Sequence, residues 1–349
     1  MNFKIGKKKI GKNYKTFLVA ELSGNHNQSI DRAKKLIKSA KLAGADAVKL
    51  QTYTADTITL KSNKKDFRIK GNSPWKRYKN FWKLYNKAST PLQWHKELFE
   101  YAKKIKIEIF TSPFDESAVD YLEKLKCPAY KIASPEINHI PLLEKVARTK
   151  KPIILSKGLA DLSDLRLAIK VLRKNGCKKI AILQCVSSYP APLEDQNLNT
   201  IINIQKQFKV ISGLSDHTEN NISAISSVAL GGSIIEKHFN IDDKIKTVDA
   251  FFSTNFKTFK NLVNNVRETE KALGKVSYKI SKSSFKHLVG RRSIYVSNKI
   301  KVGEKISLKN VKVVRPAYGL HPKYLKKILG KISKKNLSPG SRFKLSYLK

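Results

Sequence analysis

Sulfur is scarce in this chain, with 3 cysteines and 1 methionine in 349 residues. Cys127, Cys177 and Cys185 are odd in number and lack the spacings of a zinc site, so neither a disulfide framework nor a thiolate metal cluster is expected. A reducing, cytoplasmic setting fits them. Long apolar runs are missing too. No stretch approaches the roughly 20 continuous apolar residues of a membrane helix. The polar, lysine-rich segment from Met1 to Lys15 lacks the apolar core of a secretory signal, and no membrane partner is expected. Acidic residues are few: 27 Asp and Glu stand against 70 Lys and Arg, for a formal net charge of +43 at pH 7. Such a charge raises the question of nucleic acid. The excess is nearly all Lys and is spread along the chain, whereas a nucleic-acid face gathers charge on one surface and draws on Arg. It reads as solvated helix faces in a composition rich in Lys, Asn and Ile, with no nucleic-acid partner. The positive field can still speed the arrival of anionic substrates.

The hydrophobic content of 41% is ordinary for a globular chain, and the length allows one large domain and a small one. Short apolar runs predict strands at 17–22, 47–50, 107–110, 129–133, 153–155, 180–183, 210–214 and 233–239. Amphipathic stretches lie between them. Ser29 caps a helix that stops at Gly44, Thr90-Pro91 opens one through Trp94, Leu98 and Tyr101, and Asp161 or Ser163 starts one that ends at Gly176. Repeated strand–helix alternation predicts an α/β fold, a (β/α)8 TIM barrel, over residues 1–275. The second connection, 52–89, is long and carries Phe67, Trp75, Tyr78, Phe81, Trp82 and Tyr85. It reads as a lid or interface, or equally as a packing excursion. After Gly274 a basic, polar linker at 276–290 leads to a small β-rich domain at 291–349. Strands are predicted there at 293–296, 311–315 and 343–348.

Active sites of such barrels lie at the carboxyl ends of the strands. Here every predicted strand runs into polar residues. They are Glu21 with 23–27, Lys49 with Gln51, Ser112 with Asp115, Lys131 with Ser134 and Glu136, and Ser156 with Lys157. The last three strands give 184–190, then Ser215 through His217, then Glu236 through His238. A polar cluster after one strand says little; the same placement after all of them marks a site, because stability does not demand it. Lys49 and Lys131 lie inside apolar strands, where an unpaired charge is costly. With Ser112, Ser134, Ser156 and Ser215 they suit a phosphate and a carboxylate. A Schiff-base lysine is the rival. His217 and His238, at the ends of neighbouring strands, suit a divalent metal with open positions for substrate oxygen, or are simply hydrogen-bonded buried imidazoles.

These residues together resemble the sialic acid synthase family. The matching segments are Ala-Glu-Leu-Ser-Gly-Asn-His-Asn (20–27), Ala-Gly-Ala-Asp-Ala-Val-Lys-Leu-Gln-Thr-Tyr (43–53), Ser-Pro-Phe-Asp (112–115) and Tyr-Lys-Ile-Ala-Ser (130–134). Further on come Ser-Ser-Tyr-Pro-Ala-Pro (187–192), Gly-Leu-Ser-Asp-His-Thr (213–218) and Ile-Glu-Lys-His-Phe (235–239). Arg-Arg-Ser-Ile-Tyr-Val (291–296) and Val-Arg-Pro-Ala-Tyr-Gly-Leu-His-Pro-Lys-Tyr (314–324) resemble the family's antifreeze-like SAF domain, a β-clip. The resemblance implies a transferase that condenses phosphoenolpyruvate with an open-chain N-acetylated amino sugar by carbon–oxygen cleavage. It also implies a divalent metal ion (Mn2+, Mg2+ or Co2+) on His217 and His238, and a domain-swapped homodimer in which Arg315 of one chain reaches the sugar in the other. Glu21, Lys49, Lys131, Glu136 and Arg315 are then the catalytic candidates, with Glu136 as acid/base. Asn25, Gln51, Ser112, Ser134, Ser156, Ser187, Tyr189, Ser215, Glu236 and Asp249 are the substrate-binding candidates. Residues 51–54, 187–190 and 318–322 look more like the pseudaminic acid branch than the N-acetylneuraminate branch. The implied acceptor is 2,4-diacetamido-2,4,6-trideoxy-L-altrose, with N-acetylmannosamine or a related diacetamido sugar as the alternative. Lys157, Gln184, Pro135 and Lys246-Thr247-Val248 depart from the family pattern and bear on sugar specificity.

Overall fold

Strands that are apolar on both faces need a cover on each side, and a closed parallel barrel ringed by helices supplies it. The structure, a computed structural model, describes residues Met1–Lys349, which divide into two units, Met1–Gly274 and Lys275–Lys349. The first unit begins with β1 (Asn2–Ile5), β2 (Lys8–Gly11), β3 (Phe17–Glu21), α1 (Ile30–Ala43), β4 (Ala47–Thr52), α2 (Ala55–Ile58), α3 (Phe81–Ala88) and α4 (Trp94–Lys104). It continues through β5 (Glu108–Pro113), α5 (Glu116–Lys124), β6 (Tyr130–Ile132), α6 (Ile140–Arg148), β7 (Ile153–Ser156) and α7 (Leu162–Lys174). It ends with β8 (Ile180–Cys185), α8 (Thr200–Phe208), β9 (Ile211–Asp216), α9 (Ile222–Ala229), β10 (Ile234–His238) and α10 (Phe256–Leu273). Strands β3 to β10 pair in parallel and close, β10 lying between β9 and β3.

The period of two in each strand then sorts the side chains. Leu18, Ala20, Val48, Leu50, Leu214 and Ile235 pack outward with helix residues such as Leu36, Leu98 and Leu262. Their neighbours Glu21, Lys49, Gln51, Ser215 and Glu236 turn inward, where they line a cavity. Local signals set the helix ends. Ser29 Oγ accepts from Arg32 N, and Gly44, at φ +96°, ends α1 where a Cβ would meet Val263 at 2.8 Å. Asp161 and Asp164 form a reciprocal capping box on α7. Helix α4 starts at Trp94, after a turn closed by Trp94 N donating to Pro91 O.

One element goes beyond the sequence reading, and one expectation needs correction. The polar amino end is a β-hairpin: in β1 and β2 the lysines face solvent while Phe3, Ile5 and Ile10 are buried with Phe17, Val19, Ala47 and Phe110. Lys7 N donates to Glu108 Oε1 at the first residue of β5, so the hairpin covers the amino-terminal end of the barrel. In the second unit, β11 (Ser293–Val296) and β12 (Val311–Val314) pair antiparallel. The expected last strand is absent: residues 342 and 348 make single bridges to Tyr295 and Ser333, and 345–347 form a 3-10 turn. That unit has its own core of Ile294, Val296, Ile300, Ile306, Val311, Ile328, Leu337 and Phe343. The linker is less polar in effect than its lysines suggest, since Val276, Tyr278, Ile280 and Phe285 are exposed along it. No helix is long and apolar enough to cross a membrane.

The hairpin's packing is testable. Ile10→Ala should lower unfolding stability by about 2–4 kcal/mol in a urea titration, as for other fully buried aliphatic truncations. A variant indistinguishable from wild type would mean that the hairpin is not part of the core.

Candidate active site

The carboxyl ends of the barrel strands enclose a cavity of about 300 Å³. Its floor is the inward strand set: Glu21, Lys49, Gln51, Ser112, Lys131, Ser156, Cys185, Ser215, His217, Glu236 and His238. Its wall comes largely from two loops. The long connection after β4 supplies Ile58, Trp75, Phe81, Leu84 and Tyr85, and the segment after β10 supplies Val248, Asp249 and Phe252. Trp75 ties the two loops together. Its indole N–H donates to Val248 O at 3.0 Å, and its ring meets Tyr189 and Phe251 edge-on. The excursion therefore supplies a wall of the cavity through Trp75, Phe81 and Tyr85, whereas Phe67, Tyr78 and Trp82 do not line it.

A chain of buried charges crosses the floor. Lys49 Nζ lies 3.1 Å from Glu21 Oε2 and 2.9 Å from Glu236 Oε1, and Lys131 Nζ lies 3.1 Å from the same Glu236 oxygen. Ser215 Oγ also donates to that oxygen, while Gln51 and Ser23 N donate to Glu21 Oε1. The lysines, expected to wait for an anionic ligand, already have carboxylates of the chain as partners. Burial alone would raise Glu236, but the Lys131 and Lys49 ammonium groups hold it well below the usual carboxylate range. Burial raises Glu21, with Lys49 opposing. Burial likewise lowers Lys131, with Glu236 opposing, whereas Glu21 and Glu236 overcome burial at Lys49 and raise it.

Several floor atoms remain without partners. Ser112 Oγ, Ser156 Oγ and Glu236 Oε2 are buried and make no hydrogen bond, as do Ser187 Oγ and Glu136 Oε2 nearby. Buried polar atoms are ordinarily satisfied, so orphans gathered round a cavity point to a polar ligand. Gly158 leaves room for such a group: a Cβ there would fall 2.2 Å from Ser187 Oγ and 2.7 Å from Ser134 Oγ. The two imidazoles lie edge-on to each other with ring centroids 5.3 Å apart. His217 Nδ1 donates to Val186 O at 2.7 Å, and a carbonyl can only accept, so the neutral ring has its lone pair on Nε2; burial lowers this imidazole, but the Cys185 contact outweighs burial and raises it. His238 Nδ1 is 3.3 Å from Ser23 Oγ, and burial followed by the His217 charge keeps this ring neutral. Imidazoles oriented through one nitrogen with the other free are the form that binds a metal. No group of three or more His, Cys, Asp or Glu side chains is arranged to hold an ion, so the remaining positions would fall to water and substrate oxygen.

Residues 36–278 match the model of the NeuB family, and residues 291–345 match the SAF domain. The chain belongs to the NeuB family. It is 45% identical to the pseudaminic acid synthase of Helicobacter pylori over 92% of this chain and 94% of that protein. It is 42% identical to the pseudaminic acid synthase of Campylobacter jejuni over 95% and 96%. Among solved structures, N-acetylneuraminic acid (sialic acid) synthetase from Leptospira borgpetersenii superposes with a TM-score of 0.73 at 28% identity, over 82% of this chain and 95% of that one. The eight-stranded barrel is thus that of a NeuB-family synthase, and the cavity lies at its carboxyl end.

Most of the candidates meet in this cavity: Glu21, Lys49, Gln51, Ser112, Lys131, Ser134, Ser156, Tyr189, Ser215, His217, Glu236, His238 and Asp249 line it. Four do not. Asn25 is fully buried, its amide donating to Phe239 O and Ser253 Oγ and accepting from Thr247, so it pins the loop after β3 and offers substrate no atom. Ser187 and Glu136 lie outside the wall. Arg315 follows β12 in the second unit and is exposed. Sequence reasoning missed Tyr53, Cys185, Trp75 and Phe252 as lining residues. Alternation would have found Cys185, two residues after the inward Leu183. Trp75 belongs to the aromatic excursion already noted, whereas Phe252 carries no local signal. Of the departures from the family pattern, Gln184 points away from the cavity and donates to Gln196 O.

Glu136 is half-buried, and burial raises its carboxyl to about 7. A folded-state value above the unfolded one favours the protonated fold, so this contribution is present at low pH and lost as pH rises through about 7. Glu136→Gln should therefore gain melting temperature relative to wild type at pH 8.5 more than at pH 5. Equal differences at the two pH values would show that the carboxyl is not held in this state.

Proposed function

We propose that this chain is a pseudaminic acid synthase, condensing phosphoenolpyruvate with 2,4-diacetamido-2,4,6-trideoxy-L-altrose to give pseudaminic acid and phosphate. The observation that carries this reading is the similarity to two pseudaminic acid synthases over more than nine-tenths of the chain. The cavity supports it, because it offers two ammonium groups and orphaned serines to an anion beside two neutral-capable imidazoles.

On this reading Lys131, Lys49, Ser112, Ser134, Ser156 and Ser215 hold phosphoenolpyruvate against the floor, so that proximity supplies much of the rate. His217 and His238 would hold a divalent cation (Mn2+, Mg2+ or Co2+), which when bound supplies Lewis-acid polarisation of the acceptor carbonyl. The methylene carbon of phosphoenolpyruvate attacks the aldehyde carbon, and the aldehyde oxygen takes a proton. Water adds at the carbon bearing phosphate and gives up a proton, and the bond from that carbon to the phosphate oxygen breaks. Glu136, with a carboxyl near neutrality, serves these proton transfers through water. Glu21, Gln51, Tyr189 and Asp249 orient the sugar. Ser187 is assigned here to the phosphate side, on the strength of its orphaned hydroxyl beside Gly158. Arg315 completes the site from the partner chain of a swapped homodimer; the exposed apolar side chains of the linker are suited to cover by a second copy. The free thiols of Cys127, Cys177 and Cys185 suit a cytoplasmic enzyme.

The direct test is phosphate release from phosphoenolpyruvate with added Mn2+ and a panel of amino sugars. Release with the 2,4-diacetamido-2,4,6-trideoxy sugar and little with N-acetylmannosamine is expected; the reverse preference would sink the pseudaminic assignment. Label placed in the bridging oxygen of phosphoenolpyruvate should appear in phosphate, and its retention in the sugar would exclude carbon–oxygen cleavage. Lys131→Ala should raise KM for phosphoenolpyruvate by roughly 10-fold or more, the equivalent of one charge-assisted contact of about 1.5–3 kcal/mol. Mixing Arg315→Ala with His217→Ala after reversible dissociation should restore up to about one quarter of wild-type activity if chains pair at random in a closed dimer. Confirmed subunit exchange without recovery would place Arg315 outside the partner's site.

A further inference from the structure

The same alternation that turns Ser215, His217, Glu236 and His238 toward the cavity turns Asp216 and Lys237 to the other side of the barrel wall. Their strand positions are direct partners in register. Both are buried, with side chains 0% and 1% exposed, and the ammonium nitrogen is 2.6 Å from Asp216 Oδ2. An ion pair in such a layer is expensive to desolvate, and an apolar pair of similar volume would pack the barrel against its helices at least as well. Neither residue lines the cavity, so the reaction has no direct use for them.

What distinguishes the pair is where the remaining donors go. A lysine ammonium has three N–H donors. Lys237 aims them at Asp216 Oδ2, at Thr218 O (2.6 Å) and at Asn220 O (3.0 Å). Asp216 Oδ1 in turn accepts from Thr218 N at 2.9 Å and Thr218 Oγ1 at 2.8 Å. The ammonium group therefore grips the residue before His217 and the residue after it. Lys237 is itself the residue before His238. One side chain thus joins the backbone positions of both imidazoles from behind. From the front, His217 is held by Ala191 N donating to its carbonyl and by its own Nδ1 donating to Val186 O.

We propose that Lys237, through Asp216, is a positioning residue that sets the spacing of the His217 and His238 rings and so the affinity of the two-imidazole site for a divalent cation. The inference rests on the reading of these histidines as a cation site. Without Lys237 the turn at 216–220 loses three anchors, and His217 can shift against His238 while the barrel stays closed by its strand ladder.

The test uses the full-length protein and Mn2+ as the probe. Binding is followed by isothermal calorimetry and by loss of the free-ion paramagnetic resonance signal, on variants whose circular dichroism and cooperative melt show them folded. Lys237→Met leaves Asp216 unpaired, so Asp216→Asn/Lys237→Met is made beside it. The double variant carries no buried net charge and keeps an acceptor for Thr218. Each is expected to bind Mn2+ about 10–100-fold more weakly than wild type, as for removal of other groups that orient metal-bound histidines, with phosphoenolpyruvate affinity in chelator changed by no more than about twofold. A pair that serves stability alone would lower the melting temperature and leave Mn2+ affinity in the folded protein untouched. That outcome in either variant overturns the proposal. Wild-type protein that takes up no Mn2+ overturns the two-histidine reading together with it, whereas wild-type binding retained in a folded variant overturns the positioning role alone.

Discussion

The Glu236 carboxylate sits between two ammonium groups that arrive from different strands, and the geometry of the cavity floor depends on it. Lys49 and Lys131 stand on β4 and β6, and Glu236 stands on β10 across the barrel. Long side chains that share one oxygen can converge only if all three strands present the same parity and the same height. The closed ladder imposes both conditions. With Glu21 the cluster holds two acids and two bases, so it is formally balanced before any ligand enters. Its charges are fixed by one another and not by solvent. Dipoles ordered in advance in a water-poor site do not have to reorganise when charge moves in a reaction.

Floor and wall have different physical characters because they have different origins. The floor is made of strand side chains, whose positions the hydrogen-bond ladder fixes. The wall is made of loop side chains, apolar and aromatic except for Asp249, joined by the Trp75 indole to the Val248 carbonyl. The network of buried charges belongs to the rigid part. The shape that admits or rejects an acceptor belongs to the part that can vary without disturbing the ladder.

Much of this was legible in the residues. The eight barrel strands are where short apolar runs predicted them. Several extend farther, β4 to Thr52, β5 to Pro113 and β8 to Cys185, because polar residues that face a cavity still pair their backbone. The inward polar set could be read from strand parity alone. The hairpin β1–β2 could not, since each of its short strands buries only two residues among lysines, too few for a periodic signal. Asn25 sits in a motif that invites a functional reading, but nothing in the sequence says that its amide turns to Phe239 O and Ser253. The ion pairs of Lys49 and Lys131 were hidden for a similar reason. Sequence shows that a charge in an apolar strand needs a partner, while only the folded barrel shows that Lys49 meets Glu21 on the neighbouring strand and that Lys131 meets Glu236 on the opposite one.

The hairpin also makes the barrel a well with a single opening. Phe3, Ile5 and Ile10 close the amino-terminal end, so the floor is reached from the carboxyl-end side, past wall residues such as Trp75. In a well of that shape position fixes order. If one ligand were held by the strand side chains and a second against the wall, the inner one would have to enter first and leave last.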